Sequence, residues 1–322
     1  MIKISLDNGI HNLNIDKLAF GTGCFSDYAD KESYFLLMDR FYENFKTFDT
    51  ARSYNEWLPD GKDISEYMLG EWMNSRKNRN NVVVVTKGGF PKNLKIKKDV
   101  QNRLTKEDLQ FDIDTSLATL KTDYVDIFLL HRDDLSKPVE YIIPILQDFI
   151  KQGKTRFIGV SNWTSDRIEK AQDFIAKEKM IPLSISQCYF SLAESSPEKF
   201  DDDTIVCINR QEYKWYERSR IPLMAFTSQA KGFFSKYNSI QLKQSEIKRF
   251  VSEINIERAK RARMLANEYS VSPTCIALAY LVNNPVQTCA VIGPKNISQL
   301  EDSINVKEIL LSKTQIDWLI GE

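Results

Sequence analysis

Histidine is scarce in this chain of 322 residues: His11 and His131 are the only two. The five cysteines, Cys24, Cys188, Cys207, Cys275 and Cys289, are odd in number and never spaced as CxxC. A protein zinc site needs clustered thiolate and imidazole ligands, so these scarcities argue against a metal centre and for reduced, buried thiols. No apolar run approaches the roughly 20 residues that a bilayer span requires, and residues 1–6 alternate like a strand instead of resembling a signal peptide. Neither sign of charge is in excess, since 44 Lys and Arg balance 44 Asp and Glu. That balance gives no basis for a polyanion partner. Glycine is missing where a doubly wound dinucleotide fold most needs it, because Gly21-Thr22-Gly23-Cys24-Phe25-Ser26 lacks the third glycine of G-x-G-x-x-G. The expectation is a soluble, cytoplasmic protein that binds neither nucleic acid nor membrane; composition is silent on its oligomeric state.

What the chain does have is a rhythm. Short apolar runs at 18–23, 47–50, 82–86, 125–130, 157–161, 184–189, 223–226 and 289–292 alternate with amphipathic helical patterns. Helix starts are marked by Thr105 with Asp108 ahead of Leu109, Ile113, Leu117 and Leu120, and by Ser272-Pro273 as an N-cap with proline in the first turn. Eight β/α units predict an α/β fold of the (β/α)8 TIM barrel class, with its chemistry at the C-terminal ends of the strands. Ahead of them, β-like segments at 3–6 and 12–15 flank the turn signal Asp7-Asn8-Gly9, predicting an N-terminal β-hairpin that closes the barrel bottom. Residues 1–322 are expected to form a single barrel domain. The stretches 91–104 and 228–254 break the rhythm after strand ends, which makes them candidate lids or pocket walls.

Three polar groups at predicted strand ends, and one just beyond, point to proton chemistry. Asp49 closes one short strand, Lys87 follows an all-valine run, and His131 follows an apolar strand; Tyr54 lies five residues after Asp49. A lysine at the end of Val82-Val83-Val84-Val85 would carry a desolvation cost of several kcal/mol unless a carboxylate neutralised it, and Asp49 is placed to do so. An ammonium beside Tyr54 favours the phenolate and so is expected to lower its pKa, while His131 can share the proton.

Phe48-Asp49-Thr50-Ala51 with Tyr54, Ser65-Glu66 with Leu69-Gly70, Thr86-Lys87, Asp123-Tyr124-Val125-Asp126 leading to His131, Gly159-Val160-Ser161-Asn162, Gln187, and the run from Gly293 to Asp302 together resemble the aldo-keto reductases over nearly the whole chain. The resemblance implies a barrel enzyme that moves a hydride reversibly between a nicotinamide cofactor and a small aldehyde or ketone, with Asp49, Tyr54, Lys87 and His131 as catalytic residues. Tyr54 would be the general acid, Lys87 its tuning cation, and His131 the group that positions the carbonyl oxygen or helps deliver the proton. The cofactor implied is NADP, with NADPH preferred and NADH possible. Around it the resemblance gathers Gly21, Thr22, Gly23, Asp49, Ser161, Asn162, Gln187, Phe226, Ser228, Gln229, Lys231, Gly232, Ile292, Gly293, Lys295, Gln299 and Asp302. Ser161, Asn162 and Gln187 would hold the nicotinamide amide, Phe226 would stack on its ring, Lys295 would meet the 2′-phosphate and Asp302 the adenine. From the residues alone, Ser161-Asn162 reads as a helix cap, and Asn296 with Gln299 as a capping pair.

Phe25, Trp57, Phe90 and Trp163 adjoin these motifs and are expected to wall the substrate pocket. The chain ends at Glu322, without the longer C-terminal loop that relatives acting on steroids or aldoses use, so small polar or sugar-derived carbonyls are favoured. The family also contains channel-associated barrels that bind the cofactor with little turnover, which leaves a regulatory, redox-sensing subunit as the alternative.

Overall fold

The protein is described here from a computed structural model that covers residues 3–56, 63–94, 100–238 and 241–322. A hairpin of β1 (Lys3–Asp7) and β2 (Asn12–Asp16) comes first. It is followed by β3 (Leu18–Gly21), β4 (Thr47–Asp49), β5 (Val83–Gly88), β6 (Val125–Leu130), β7 (Thr155–Ser161), β8 (Ile185–Tyr189), β9 (Leu223–Phe226) and β10 (Thr288–Ile292). Among the described residues these eight strands form one closed barrel in sequence order, β10 pairing in parallel with β3. The expected (β/α)8 barrel and its hairpin are both present.

A strand covered on both faces reads as a continuous apolar run, and the period of two then divides that run between two cores. Ala19, Val83, Val85, Ile127, Leu129, Phe157, Ile185, Met224 and Cys289 point into the barrel, where Ile4, Leu6 and Ile15 of the hairpin join them. The intervening residues, such as Phe20, Phe48, Val84, Phe128 and Ile158, pack outward under the helices. The hairpin therefore contributes side chains to the inner core. It is pinned there by the Asn8 amide, which donates to the Arg156 carbonyl at 2.8 Å, and by Asp16, whose Oδ2 accepts from Lys46 N at 2.6 Å and Thr47 Oγ1 at 3.0 Å.

Helix starts follow the local chemistry. Thr105 Oγ1 accepts from Asp108 N at 3.1 Å at the head of helix Lys106–Leu120, and Ser272 Oγ accepts from Cys275 N at 2.9 Å ahead of Pro273–Val282. Ser161-Asn162 is not a helix cap. Asn162 takes φ +58°, and Thr164 caps helix Ser165–Lys177 instead. In the first irregular stretch Lys92 and Gln101 pair antiparallel, while the second contains helices Phe233–Lys236 and Gln244–Phe250, with Ser195 Oγ donating to Arg249 O at 3.0 Å. Among the described residues no helix is long and apolar enough to cross a membrane, and the five cysteines are free thiols.

Because Ile15 is completely buried between hairpin and barrel, Ile15→Ala should lower unfolding free energy by about 2–5 kcal/mol, as core truncations do. Chemical denaturation should show this as a lower midpoint at unchanged slope; a midpoint equal to that of the unsubstituted protein would mean that the hairpin is not part of the cooperative core.

Candidate active site

The C-terminal ends of β4, β5 and β6 are held in register well past their last residues. Thr50 N donates to Val85 O at 2.8 Å, Arg52 N to Lys87 O at 3.1 Å, and His131 N to Gly88 O at 2.8 Å. Along β5 the inward positions are Val83, Val85 and Lys87, so strand periodicity alone aims the lysine up the barrel axis. After Ala51 the chain turns tightly, with Tyr54 N donating to Ala51 O at 3.2 Å. The turn closes at Asn55, whose φ of +67° is in the left-handed region that asparagine tolerates. The Asn55 amide steadies that conformation by donating to Phe25 O and to Ser65 Oγ.

These supports bring all four sequence-derived residues together. Lys87, with no exposed surface, donates from Nζ to Asp49 Oδ1 at 2.8 Å and Oδ2 at 2.9 Å, to Thr50 O at 2.7 Å and to Tyr54 Oη at 2.9 Å. The Tyr54 hydroxyl faces Asp49 Oδ2 at 3.3 Å, and its ring meets His131 edge-on with centroids 5.6 Å apart. Gly23 adjoins the ring: a Cβ at that position would stand in ordinary contact, 3.4 Å from the tyrosine.

Electrostatics at this cluster departs from the sequence expectation in one respect. Tyr54 is held well above the ordinary phenol value, first by burial and then by the Asp49 carboxylate, with Arg132 opposing. Burial lowers Lys87 while Asp49 raises it, and burial followed by Arg132 and Lys87 keeps His131 well below the usual imidazole value. The resting site thus holds a neutral phenol and a neutral imidazole. The phenol is therefore not depressed at rest: desolvation is the largest influence on it, although the Lys87 ammonium donates to its oxygen.

The residues expected around a nicotinamide lie on the adjoining strand ends, largely engaged with their neighbours. Gln187 Nε2 donates to Asp49 Oδ1 at 2.8 Å. Asn162 Nδ2 donates to Ser161 Oγ at 3.0 Å and His131 O at 3.3 Å, and its Oδ1 accepts from Val206 N at 3.2 Å. Thr22 Oγ1 donates to Thr50 Oγ1 at 2.8 Å, and Gly21 comes so close to β10 that an added Cβ would lie 3.0 Å from Ile292 O. Phe226 is half-buried at the end of β9. After it, Ser228 Oγ donates to Val291 O at 2.6 Å and Gln229 Nε2 to Ser303 Oγ at 2.9 Å. Thr227, Ala230, Lys231 and Gly232 in this loop all take positive φ, a concentration of strain that the fold must hold in place.

Beyond the loop, cations converge. The Lys231 ammonium is lowered first by the protein around it and then by Arg249 and Lys295, and among the described residues none of the three forms an ion pair. Cys24 sits beside them, its thiol pushed up to about 11 by burial, and Gly293 faces it. Glu246 is the nearby carboxylate that opposes this lowering of Lys231, and a cationic cluster of this kind fits the phosphates of a dinucleotide. One finer reading is corrected. Gln299 Oε1 accepts from Lys295 N at 3.0 Å, one residue before the Asn296 cap, so the reciprocal pair is not closed on Asn296. Asp302 Oδ2 accepts from Ser272 Oγ at 2.7 Å, tying that carboxylate to a helix start.

The aromatic wall is smaller than expected. Phe90 is half-buried between His131, at 4.8 Å between centroids, and the Arg132 guanidinium, 5.2 Å above its ring. Phe25 and Trp163 have no exposed surface: Phe25 stacks on Tyr34 at 4.1 Å, and Trp163 lies under Arg167 at 4.9 Å, so both are packing residues here. Trp57 lies outside the described residues. Sequence reasoning passed over Ser53, Arg132 and Arg249. Ser53 and Arg132 are immediate neighbours of Tyr54 and His131, which was the available signal; Arg249 comes in from a helix 18 residues after Lys231 and left none.

The sequence model of the "Aldo/keto reductase family" matches residues 17–319. The chain is 27% identical over 312 residues to the uncharacterized oxidoreductase YrpG of Bacillus subtilis, covering 95% of this chain and 91% of that protein. It is 26% identical over 318 residues to a norsolorinic acid reductase of Aspergillus flavus, with 94% and 75% covered. It is 26% identical over 308 residues to an aryl-alcohol dehydrogenase [NADP(+)] of Phanerodontia chrysosporium, with 90% and 76% covered. Its fold is similar to that of a thermostable aldo-keto reductase solved with the inhibitor epalrestat, at a TM-score of 0.73 and 21% identity over 99% of both chains.

Asp49 carries the local charge balance, so Asp49→Asn should leave the Lys87 ammonium buried and unpaired, destabilising the fold by about 3–5 kcal/mol. Thermal unfolding and turnover should both drop. A variant as stable as the unsubstituted protein would show that the pair is not the anchor of this site.

Proposed function

Because this chain belongs to the aldo/keto reductase family, we propose that it is an NADP-dependent oxidoreductase that reduces an aldehyde or ketone to an alcohol, with Tyr54 as general acid and, in reverse, general base. The observation that carries this reading is the hydrogen-bonded unit of Lys87, Asp49 and Tyr54 at one end of the barrel, with Nζ 2.9 Å from the phenolic oxygen. When bound, the nicotinamide supplies the hydride that the carbonyl carbon receives. Tyr54 donates the proton to the carbonyl oxygen, Lys87 stabilises the phenolate that results, and Asp49 holds the lysine charged and oriented. His131 fixes where the carbonyl oxygen sits.

The residues present fit such a cofactor. Lys231, Arg249 and Lys295 would hold its phosphates, and the strand ends carrying Ser161, Asn162 and Gln187 would orient its amide. Lys295 supports a preference for NADPH, with NADH still used. For the substrate, the half-buried Phe90 face beside His131 and the name of the aryl-alcohol dehydrogenase relative support a carbonyl borne on an aromatic group, ahead of a sugar-derived one. Purified protein given NADPH and a panel of aryl and sugar aldehydes should oxidise the cofactor fastest with the aryl members. Tight cofactor binding with no turnover across the panel would instead support a redox-sensing role.

Tyr54→Phe removes only the proton-donating oxygen and should fold, bind cofactor and lose at least about 10²-fold in turnover. Activity within a few-fold of the unsubstituted protein would remove tyrosine from the mechanism. Lys295→Ala should weaken NADPH binding by about 1–3 kcal/mol while leaving NADH almost unchanged, the cost of one charge-assisted contact. Fluorescence titration reads this directly, and equal weakening of both cofactors would mean that Lys295 does not meet the 2′-phosphate.

A further inference from the structure

Three consecutive residues of the turn after β4 send their side chains in three directions. Tyr54 goes to Lys87, Asn55 goes to Phe25 and Ser65, and Ser53 goes across to β6, where its Oγ lies 3.3 Å from His131 Nδ1. Ser53 is buried, and among the described residues that ring nitrogen is the one side-chain partner of its hydroxyl. His131 Nε2, the opposite nitrogen, has no hydrogen-bond partner among the described residues.

This arrangement fixes who donates. A neutral imidazole carries one N–H, on either nitrogen. Were the hydrogen on Nδ1, it would point at Ser53 Oγ, and the serine proton would be left buried without an acceptor, which is unfavourable. With the hydrogen on Nε2, the serine hydroxyl donates to the bare Nδ1 and both groups are satisfied. We propose that Ser53 is a positioning residue for the reaction: its hydroxyl holds His131 in the Nε2–H tautomer, so that the imidazole presents a hydrogen-bond donor to the substrate oxygen. This deepens the reading of the site as a carbonyl reductase and rests on it for the role, though not for the tautomer.

The consequence is a division of labour. A carbonyl oxygen accepts one hydrogen bond from the Tyr54 hydroxyl and a second from His131 Nε2–H, and only the tyrosine gives up its proton. The opposite tautomer would set the Nε2 lone pair against the carbonyl oxygen and repel it. Ser53 touches neither substrate nor cofactor in this scheme; it acts through the ring it bonds.

The scarcity of histidine makes the test direct. In His11→Gln protein labelled with ¹⁵N-histidine, every ring nitrogen signal comes from His131. The spectrum of the otherwise unsubstituted site, taken without substrate, should show a protonated, pyrrole-type Nε2 and a pyridine-type Nδ1 displaced toward lower shift by an accepted hydrogen bond. Ser53→Ala should move Nδ1 toward the unbonded pyridine-type position and lower kcat/KM for the best aldehyde about tenfold, the loss of roughly one hydrogen bond. Ser53→Thr, which keeps the hydroxyl, should restore both. A protonated Nδ1 in the unsubstituted site, or an Nδ1 signal unmoved by Ser53→Ala, overturns the proposal. Absence of carbonyl turnover alongside the expected spectrum would remove the reductase reading while leaving the tautomer standing, so the two failures are separable.

Discussion

An ammonium with no exposed surface sits at the centre of the barrel mouth, and the arrangement around it follows from the cost of keeping it charged. Removing such an ion from water costs several kcal/mol after relaxation, and only close, well-directed partners offset that. Lys87 finds them in both Asp49 oxygens, the Thr50 carbonyl and the Tyr54 hydroxyl. These acceptors come from a strand end and the turn behind it, so the lysine fixes the relative position of β4, β5 and that turn. Gln187 reaches the same carboxylate from β8 and extends the constraint across the barrel.

The same desolvation sets the chemistry. Burial keeps Tyr54 and His131 neutral at rest, so the site holds hydrogen-bonding groups instead of charges that would need counterions. The buried positive charge stands next to the phenol oxygen, 2.9 Å from it. On the other side of the mouth the problem is reversed: among the described residues Lys231, Arg249 and Lys295 form no ion pair, and Arg249 and Lys295 lower the Lys231 ammonium, opposed by the nearby Glu246 carboxylate.

The scaffold serves both halves through strand periodicity. Inward residues of β3 to β10 fill the barrel and outward ones anchor the helices, and the hairpin seals the bottom with Ile4, Leu6 and Ile15. Polar residues at the top are themselves buried, so they have to satisfy one another. That mutual satisfaction is visible in the Asn162 amide, which bonds Ser161, the His131 carbonyl and Val206 at once.

Sequence alone determined the parts of this protein that depend on local or periodic physics. The alternation of apolar runs with capped helices specified eight strands, because runs such as Val82–Val85 suit strands covered on both faces, and Thr105 and Ser272 terminate helices through their own hydroxyls. The grouping of Asp49, Tyr54, Lys87 and His131 was legible because they fall at or just after strand ends, where barrel geometry gathers them. Side-chain packing was not. Phe25 and Trp163 adjoin site motifs, yet they turn into the core, since adjacency in sequence does not say which face a side chain takes after a turn. Ser161-Asn162 read as a cap until the left-handed backbone of Asn162 passed that role to Thr164. The direction of the Tyr54 shift, the approach of Arg249 to Lys231 and the contact between Ser53 and His131 were decided by tertiary structure alone, because each depends on burial or on a distance between segments that the chain sets only when it closes on itself.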